Sequence, residues 1–235
     1  MSFVDSVIDK FHKSFFWGRI FHTLNYCLQK ELSDCETVLD IGCGPSSPLQ
    51  YCSNIKSSVG VEPFKPYLEE SKKKKIHTKY LNKKIEELGF PENSFDAVIM
   101  IEVLEHLPKK VGYEVLKKAE KWARKKVIVT TPNGYFPMRN VDNNILQTHK
   151  SGWSIYDFKK IAYFCYGLAG VRFLYHNENR VKSMVGYDNG GLGENIKFRP
   201  KILFYFVNSL LQIFSYYFPI ISFELMAIKN KNNEY

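Results

Sequence analysis

Cysteine is scarce and shows no pairing pattern. The five in this chain of 235 residues (Cys27, Cys35, Cys43, Cys52 and Cys165) form no C-x-x-C pair, and their odd number argues against a complete disulfide framework. A reduced, cytosolic setting is the simplest reading. Internal repeats are lacking, and the only low-complexity tract is the lysine run from Lys72 to Lys75. Asp5 and Asp9 interrupt the stretch where a secretory signal would have a basic start and an unbroken apolar segment, so no secretory signal is expected. One apolar run, residues 202–221, reaches the roughly 20 residues of a membrane span. Asn208, Ser209, Gln212 and Ser215 interrupt it and Pro219 closes it, so a buried or interfacial helix is expected instead. Asp, Glu and His residues are scattered without ligand spacing, and no metal centre is expected. Acids are outnumbered, 24 against 33 basic residues, and the net charge of +9 sits largely in lysine clusters. Such clusters read first as solvated surface and second as a contact for RNA or anionic lipid.

What is present is the material of one α/β domain. The 45% hydrophobic content supplies a sizeable core, and apolar β-branched runs alternate with helical periodicity, as in a parallel sheet flanked by helices. Residues 1–34 read as an aromatic helical segment broken near Gly18, and residues 35–235 as the main domain. Strands are expected at "TVLDI", "SVGVEP", "HTKYLN", "FDAVIMI", "KVIVTTP", "VRFLYH" and "SFELMAIK". Helices are expected near Leu49–Ile55, after Pro63 and Pro66, over Tyr113–Lys125, from Ser154 with Asp157 three residues on, and from about Pro200 to Phe218. A glycine-rich loop is expected from Asn177 to Asn195.

The stretch "TVLDIGCGPSSP" carries the functional signal. Its strand ends at Asp40, and Gly42 and Gly44 then let the backbone turn tightly beside a ligand, with a helix N-terminus expected at the same crevice. A second acid, Glu62, ends the next strand 22 residues later, a separation at which an acid accepts hydrogen bonds from ribose hydroxyls. A dinucleotide would need a third glycine for its pyrophosphate, and Ser47 stands there; Asp40 would also repel that pyrophosphate. A cationic nucleoside meets neither difficulty. An NAD-linked enzyme remains as a lesser alternative.

"VLDIGCGPSSP", "VGVEP", "FDAVIMIEVLEHLP" and "VIVTTPNG" together resemble, in order and spacing, the class I S-adenosylmethionine-dependent methyltransferases, specifically over about Thr37–Gly134 and more loosely to Lys229. The resemblance implies a Rossmann-like three-layer sandwich, with a seven-stranded, mostly parallel sheet and an antiparallel last strand. It implies S-adenosylmethionine as cofactor, with Asp40, Gly42, Cys43 and Gly44 around its methionine part, Glu62 and Pro63 at the ribose, and Ile101 and Glu102 beside it. Ile85 would reach the adenine, although Lys84 stands where the family often has an acid. His106 and His149 are the candidate catalytic bases, because methyl transfer to a hydroxyl must remove a proton. Tyr135, Phe136 and Trp153 would line an acceptor or pack within a lid. The segment "HKSGW" with the terminal apolar helix is similar to methyltransferases of glycan and cell-surface polysaccharide pathways. The expected acceptor is therefore a small or lipid-linked molecule such as a sugar; the aromatic ends read first as helices packed on the sheet and each other and second as a face for peripheral membrane contact. RNA methylation is the disfavoured rival, and a non-catalytic cofactor-binding module is another.

Overall fold

The computed structural model describes residues 6, 10–11, 13–138, 142–175 and 200–231, with Lys201 described in its backbone only. The expected glycine-rich loop lies outside the described residues. Seven strands form one sheet: β1 (Thr37–Ile41), β2 (Ser57–Val61), β3 (Lys79–Leu81), β4 (Phe95–Ile101), β5 (Ala123–Pro132), β6 (Phe164–Val171) and β7 (Ser222–Asn230). Their spatial order is β3-β2-β1-β4-β5-β7-β6. The first five strands run parallel, and β7 inserts antiparallel between β5 and β6. Helices are α1 (Phe15–Phe21), α2 (Leu24–Glu31), α3 (Lys65–Lys74), α4 (Lys109–Trp122), α5 (Ile155–Lys159) and α6 (Lys201–Tyr217). This is the Rossmann-like α/β architecture with an antiparallel last strand that the sequence motifs imply.

The central strands are apolar over their middles because both faces are covered there. On one face, Val115, Leu116, Ala119 and Trp122 of α4 recur at helical spacing and meet Val98, Met100, Val127 and Val129. On the other, Cys27, Leu28 and Leu32 of the N-terminal segment pack with Val38, Ala97, Ile99, Ile128 and Leu49. Each large side chain buried this way contributes about 1.5–3 kcal/mol.

Several local expectations shift. The N-terminal helices break at His22–Thr23 rather than at Gly18, which lies inside α1. The helix expected near Leu49–Ile55 is a single 3-10 turn, Pro48–Tyr51, and α2 packs beside it. The Ser154–Asp157 capping box forms, but α5 stops at Lys159, and the apolar residues after it become β6. The "VRFLYH" strand is instead the end of β6 and a 3-10 turn at Arg172–Leu174. Aromatic and β-branched residues there satisfy both periodicities over a short run, and pairing with β7 decides for the strand.

β6 carries an irregularity between Leu168 and Val171, with Ala169 and Gly170 at positive φ. This takes backbone groups out of the β7 ladder. Helix α6 completes them: Asn208 Oδ1 accepts from Val171 N–H, Asn208 Nδ2 donates to the Ala169 carbonyl, and Gln212 bonds both the Gly170 N–H and the Gly167 carbonyl. Asn208, Gln212 and Ser215, among the polar residues that interrupt the apolar run, therefore face inward. The apolar ones at 202, 203, 206, 210, 214 and 217 are left exposed, with Phe206 at 63% and Phe214 at 62%.

Candidate functional site

The parallel strands bring the ends of β1, β2, β4 and β5 to one edge of the sheet, and two groups of carboxylates gather there. At the first, Gly42 and Gly44 adopt φ of +71° and +55°. The N–H groups of Gly42 and Cys43 both donate to the Val61 carbonyl, 2.8 and 3.0 Å away, folding the loop onto the end of β2. A Cβ on Gly42 would meet Val103 Cγ2 at 2.6 Å, so this loop and the segment after β4 lie against each other. Beside Gly44 the space is open.

Glu62 is buried, and its two oxygens accept from the Gly44 and Phe64 N–H groups at 3.1 and 2.9 Å. Burial raises its carboxyl above the ordinary range while those bonds oppose the shift. Asn82 holds the following residues by donating to the Glu62 and Pro63 carbonyls. Asp40 is 1% exposed; its Oδ2 accepts from Ser47 Oγ at 2.5 Å and lies 3.4 Å from His77 Nε2. Burial pushes Asp40 up to about 7 and His77 down to about 4, so the imidazole is neutral. Asp40 thus braces the glycine loop from behind. The expected helix N-terminus at this crevice is replaced by the 3-10 turn at Pro48, whose Leu49 N–H is bonded to Ser47 Oγ. Cys43 and Ile85 are buried, Ile85 opening a 3-10 turn with Lys84 at its start.

The second group follows β4. Glu102 stands at φ +55°, its N–H and carboxylate tied to Thr130 at the end of β5. The Glu105 carbonyl accepts from the Lys150 and Ser151 N–H groups at 2.7 and 3.0 Å, which brings the loop carrying His149 onto the turn carrying His106. Their ring centroids are 4.8 Å apart. His149 Nδ1 lies 2.6 Å from the Phe136 carbonyl. Burial lowers His106 to about 3, with His149 adding to it, and lowers His149 to about 4. Glu224, from β7, joins Glu102 and Glu105, and desolvation followed by the Glu102 charge drives both Glu105 and Glu224 well above the ordinary range. Among the described residues neither oxygen of Glu105 has a hydrogen bond of good geometry, nor do Glu224 Oε1, Thr131 Oγ1 and His106 Nδ1; the Glu102 carboxyl and Thr131 are the side chains that stand next to Glu105. Glu105, His106 and His149 each offer a ligand atom, all within 4.8 Å of one another.

Sequence spacing did not disclose this grouping, since His149 lies 43 residues beyond His106 and reaches it only through the Glu105 carbonyl. Glu105 had a local signal, being adjacent to His106 and three residues from Glu102; Glu224 had none. Phe136 and Trp153 are packing residues. Phe136 sits in a cluster with Phe204 and Phe223, and Trp153 stacks on Phe158 with Lys109 Nζ 3.8 Å over its ring. Tyr135 is exposed. Asn133 Nδ2 donates to the carbonyls of Pro219, Ile220 and Ser222, fastening the apolar turn after α6 to the rim.

The first group suits a nucleoside. Each Glu62 oxygen uses one lone pair on the backbone and keeps another able to accept from an incoming hydroxyl, and open space adjoins Gly44. Residues 39–136 match the family model of a methyltransferase domain. Among solved structures, a SAM dependent methyltransferase from Archaeoglobus fulgidus is similar, at 16% identity over 92% of this chain and 99% of that one, with a TM-score of 0.52. The methyltransferase domain of bacterial CtHen1-CN aligns at 16% identity over 87% and 95%, with a TM-score of 0.50. The PH0226 protein from Pyrococcus horikoshii OT3 shares 20% identity over 50% of this chain, which spans 58% of that protein, at a TM-score of 0.42. No curated protein matches the chain in sequence.

Proposed function

We propose that the chain is a class I S-adenosylmethionine-dependent methyltransferase, a reading supported by the methyltransferase-domain match over residues 39–136 and by the Rossmann-like sheet, and that its acceptor is a hydroxyl of a lipid-linked molecule, a sugar being favoured, met at a membrane surface. The observation that carries this reading is the orientation of α6, which turns its amides to the sheet and Ile202, Leu203, Phe206, Leu210 and Phe214 outward. An ordinary surface helix does the reverse. The exposed face continues into Phe218, Ile220 and Ile221, which Asn133 ties to the site's rim, and Phe15 and Phe16 of α1 are likewise exposed. A face of this kind suits the boundary of a bilayer. No helix among the described residues is long and apolar enough to cross one.

The cofactor, when bound, supplies a methyl group already activated on a sulfonium. Glu62 would hold its ribose, and the Gly42–Gly44 loop its methionine part. The acceptor hydroxyl must be aligned and lose a proton, and His106 and His149, neutral at physiological pH, can receive one at a ring nitrogen. An RNA acceptor is less well supported, because many basic side chains are engaged: Lys56 with Glu36, Lys74 with Glu70, Arg124 with Asp96, Lys126 with Asp34 and Lys229 with Glu120.

The test is incubation with methyl-labelled cofactor and fractionated cell extract, alongside flotation with anionic liposomes. Label in the organic-extractable fraction and flotation lost on Phe206→Asp/Phe214→Asp are expected. Label confined to RNA or to water-soluble metabolites would overturn the lipid-linked acceptor.

A further inference from the structure

The unmet bonds around Glu105 point to a ligand that the methyl donor does not supply. We infer that Glu105, His106 and His149 form a binding site for one divalent transition-metal ion, of the zinc or manganese class. Three observations carry this. The donor atoms lie within 4.8 Å of one another, and metal–ligand bonds of ~2.0–2.2 Å hold donors roughly 3–4 Å apart, so small side-chain rotations close the set. Glu105 is 1% exposed and, among the described residues, neither of its oxygens has a hydrogen bond of good geometry, its neighbours being the Glu102 carboxyl and Thr131; buried His106 Nδ1 has none either. Buried polar atoms without partners are uncommon, and each calls for something to complete it. Finally, His149 places Nδ1 2.6 Å from the Phe136 carbonyl. A bond donated there fixes the tautomer and leaves Nε2 as a lone-pair donor, the arrangement in which metal-bound histidines are held from behind.

Two imidazoles and one carboxylate select among cations. Magnesium and calcium prefer oxygen-only shells, whereas nitrogen with oxygen suits zinc, manganese or iron. His₂Glu sites of this kind retain coordination positions for an outside oxygen. His106 is half-buried, so the cluster is not sealed. With an ion bound the two imidazoles no longer serve as free bases; the ion would instead hold an acceptor hydroxyl at the rim and ease the loss of its proton, a service that rests on the proposed reaction, whereas binding of the ion does not.

The experiment uses the full chain with neither cofactor nor acceptor. Equilibrium dialysis against Mn²⁺, Zn²⁺ and Mg²⁺ should leave one Mn²⁺ or Zn²⁺ per chain, with Mg²⁺ held at least tenfold more weakly. Glu105→Gln and His149→Ala should each weaken binding at least tenfold. Failure of the wild type to retain a stoichiometric ion, or wild-type affinity in both variants, would overturn the site while leaving methyl transfer untouched. Should a variant fail to fold, spin-echo spectroscopy of Mn²⁺ on the wild type decides: coupling to imidazole nitrogen is expected, and its absence rejects the assignment.

Discussion

Two groups of buried carboxylates share one edge of the sheet, and their surroundings differ in kind. Asp40 and Glu62 have their bonds completed by neighbouring chain: Ser47 for the first, the Gly44 and Phe64 N–H groups for the second. Among the described residues, Glu105 and Glu224 keep oxygens without a hydrogen bond of good geometry. Both groups are desolvated, so burial does not distinguish them; the donors around them do. An acid surrounded by local donors shapes the loop that cradles a ligand. An acid lacking them leaves room for a group from outside the chain.

The contrast breaks most visibly at Glu62. Glu62→Ala removes the acceptor of two N–H groups and the proposed partner of the ribose, and hydrogen bonds to a charged group are worth about 1.5–3 kcal/mol. Affinity for S-adenosylmethionine by calorimetry should fall about 10- to 100-fold. A change below threefold would take Glu62 out of the cofactor site.

A smaller effect separates the groups by stability. A Cβ on Gly60 would stand 2.4 Å from His77 Cδ2, and that ring is confined between Ser58 and Asp40. Gly60→Ala should therefore lower the unfolding free energy by about 1–3 kcal/mol through overpacking, read as a shift in the urea midpoint. Glu105→Gln, which removes a carboxylate without partners, should leave stability in metal-free buffer unchanged or raised. Equal losses in the two variants would erase the distinction.

The first group was legible in the sequence because its parts are local: a strand, two glycines and an acid, then a second strand ending in Glu62. A mostly parallel sheet with an antiparallel last strand was implied by the resemblance those motifs carry, while the strand order and the place of β6 came from the structure. The second group was half legible. His106 sits in a motif, but its partners arrive through long-range contacts, His149 by way of the Glu105 carbonyl and Glu224 by the insertion of β7 beside β5. The inward-facing amides of α6 were unreadable for a similar reason. Asn208 and Gln212 answer an irregularity in β6 about 40 residues earlier, and a window of sequence contains only one side of that exchange.

The finest difference is one of pH. Burial raises the Asp40 carboxyl to about 7, above the ordinary value near 3.9. His77 stays neutral down to about pH 4 and offers no compensating charge. The folded state therefore keeps a proton that the unfolded chain releases. This contribution to stability is fully present below about pH 4 and is lost as pH rises through 7, with a slope of at most ~1.4 kcal/mol per pH unit. Asp40→Asn removes the titration while its amide oxygen can still accept from Ser47. Measured at pH 4.5, 6 and 7.5, the urea midpoint of the variant should rise relative to wild type as pH increases. Midpoints that run parallel across the range would mean that Asp40 ionises as an ordinary carboxylate, and the brace behind the glycine loop would then be charged rather than neutral.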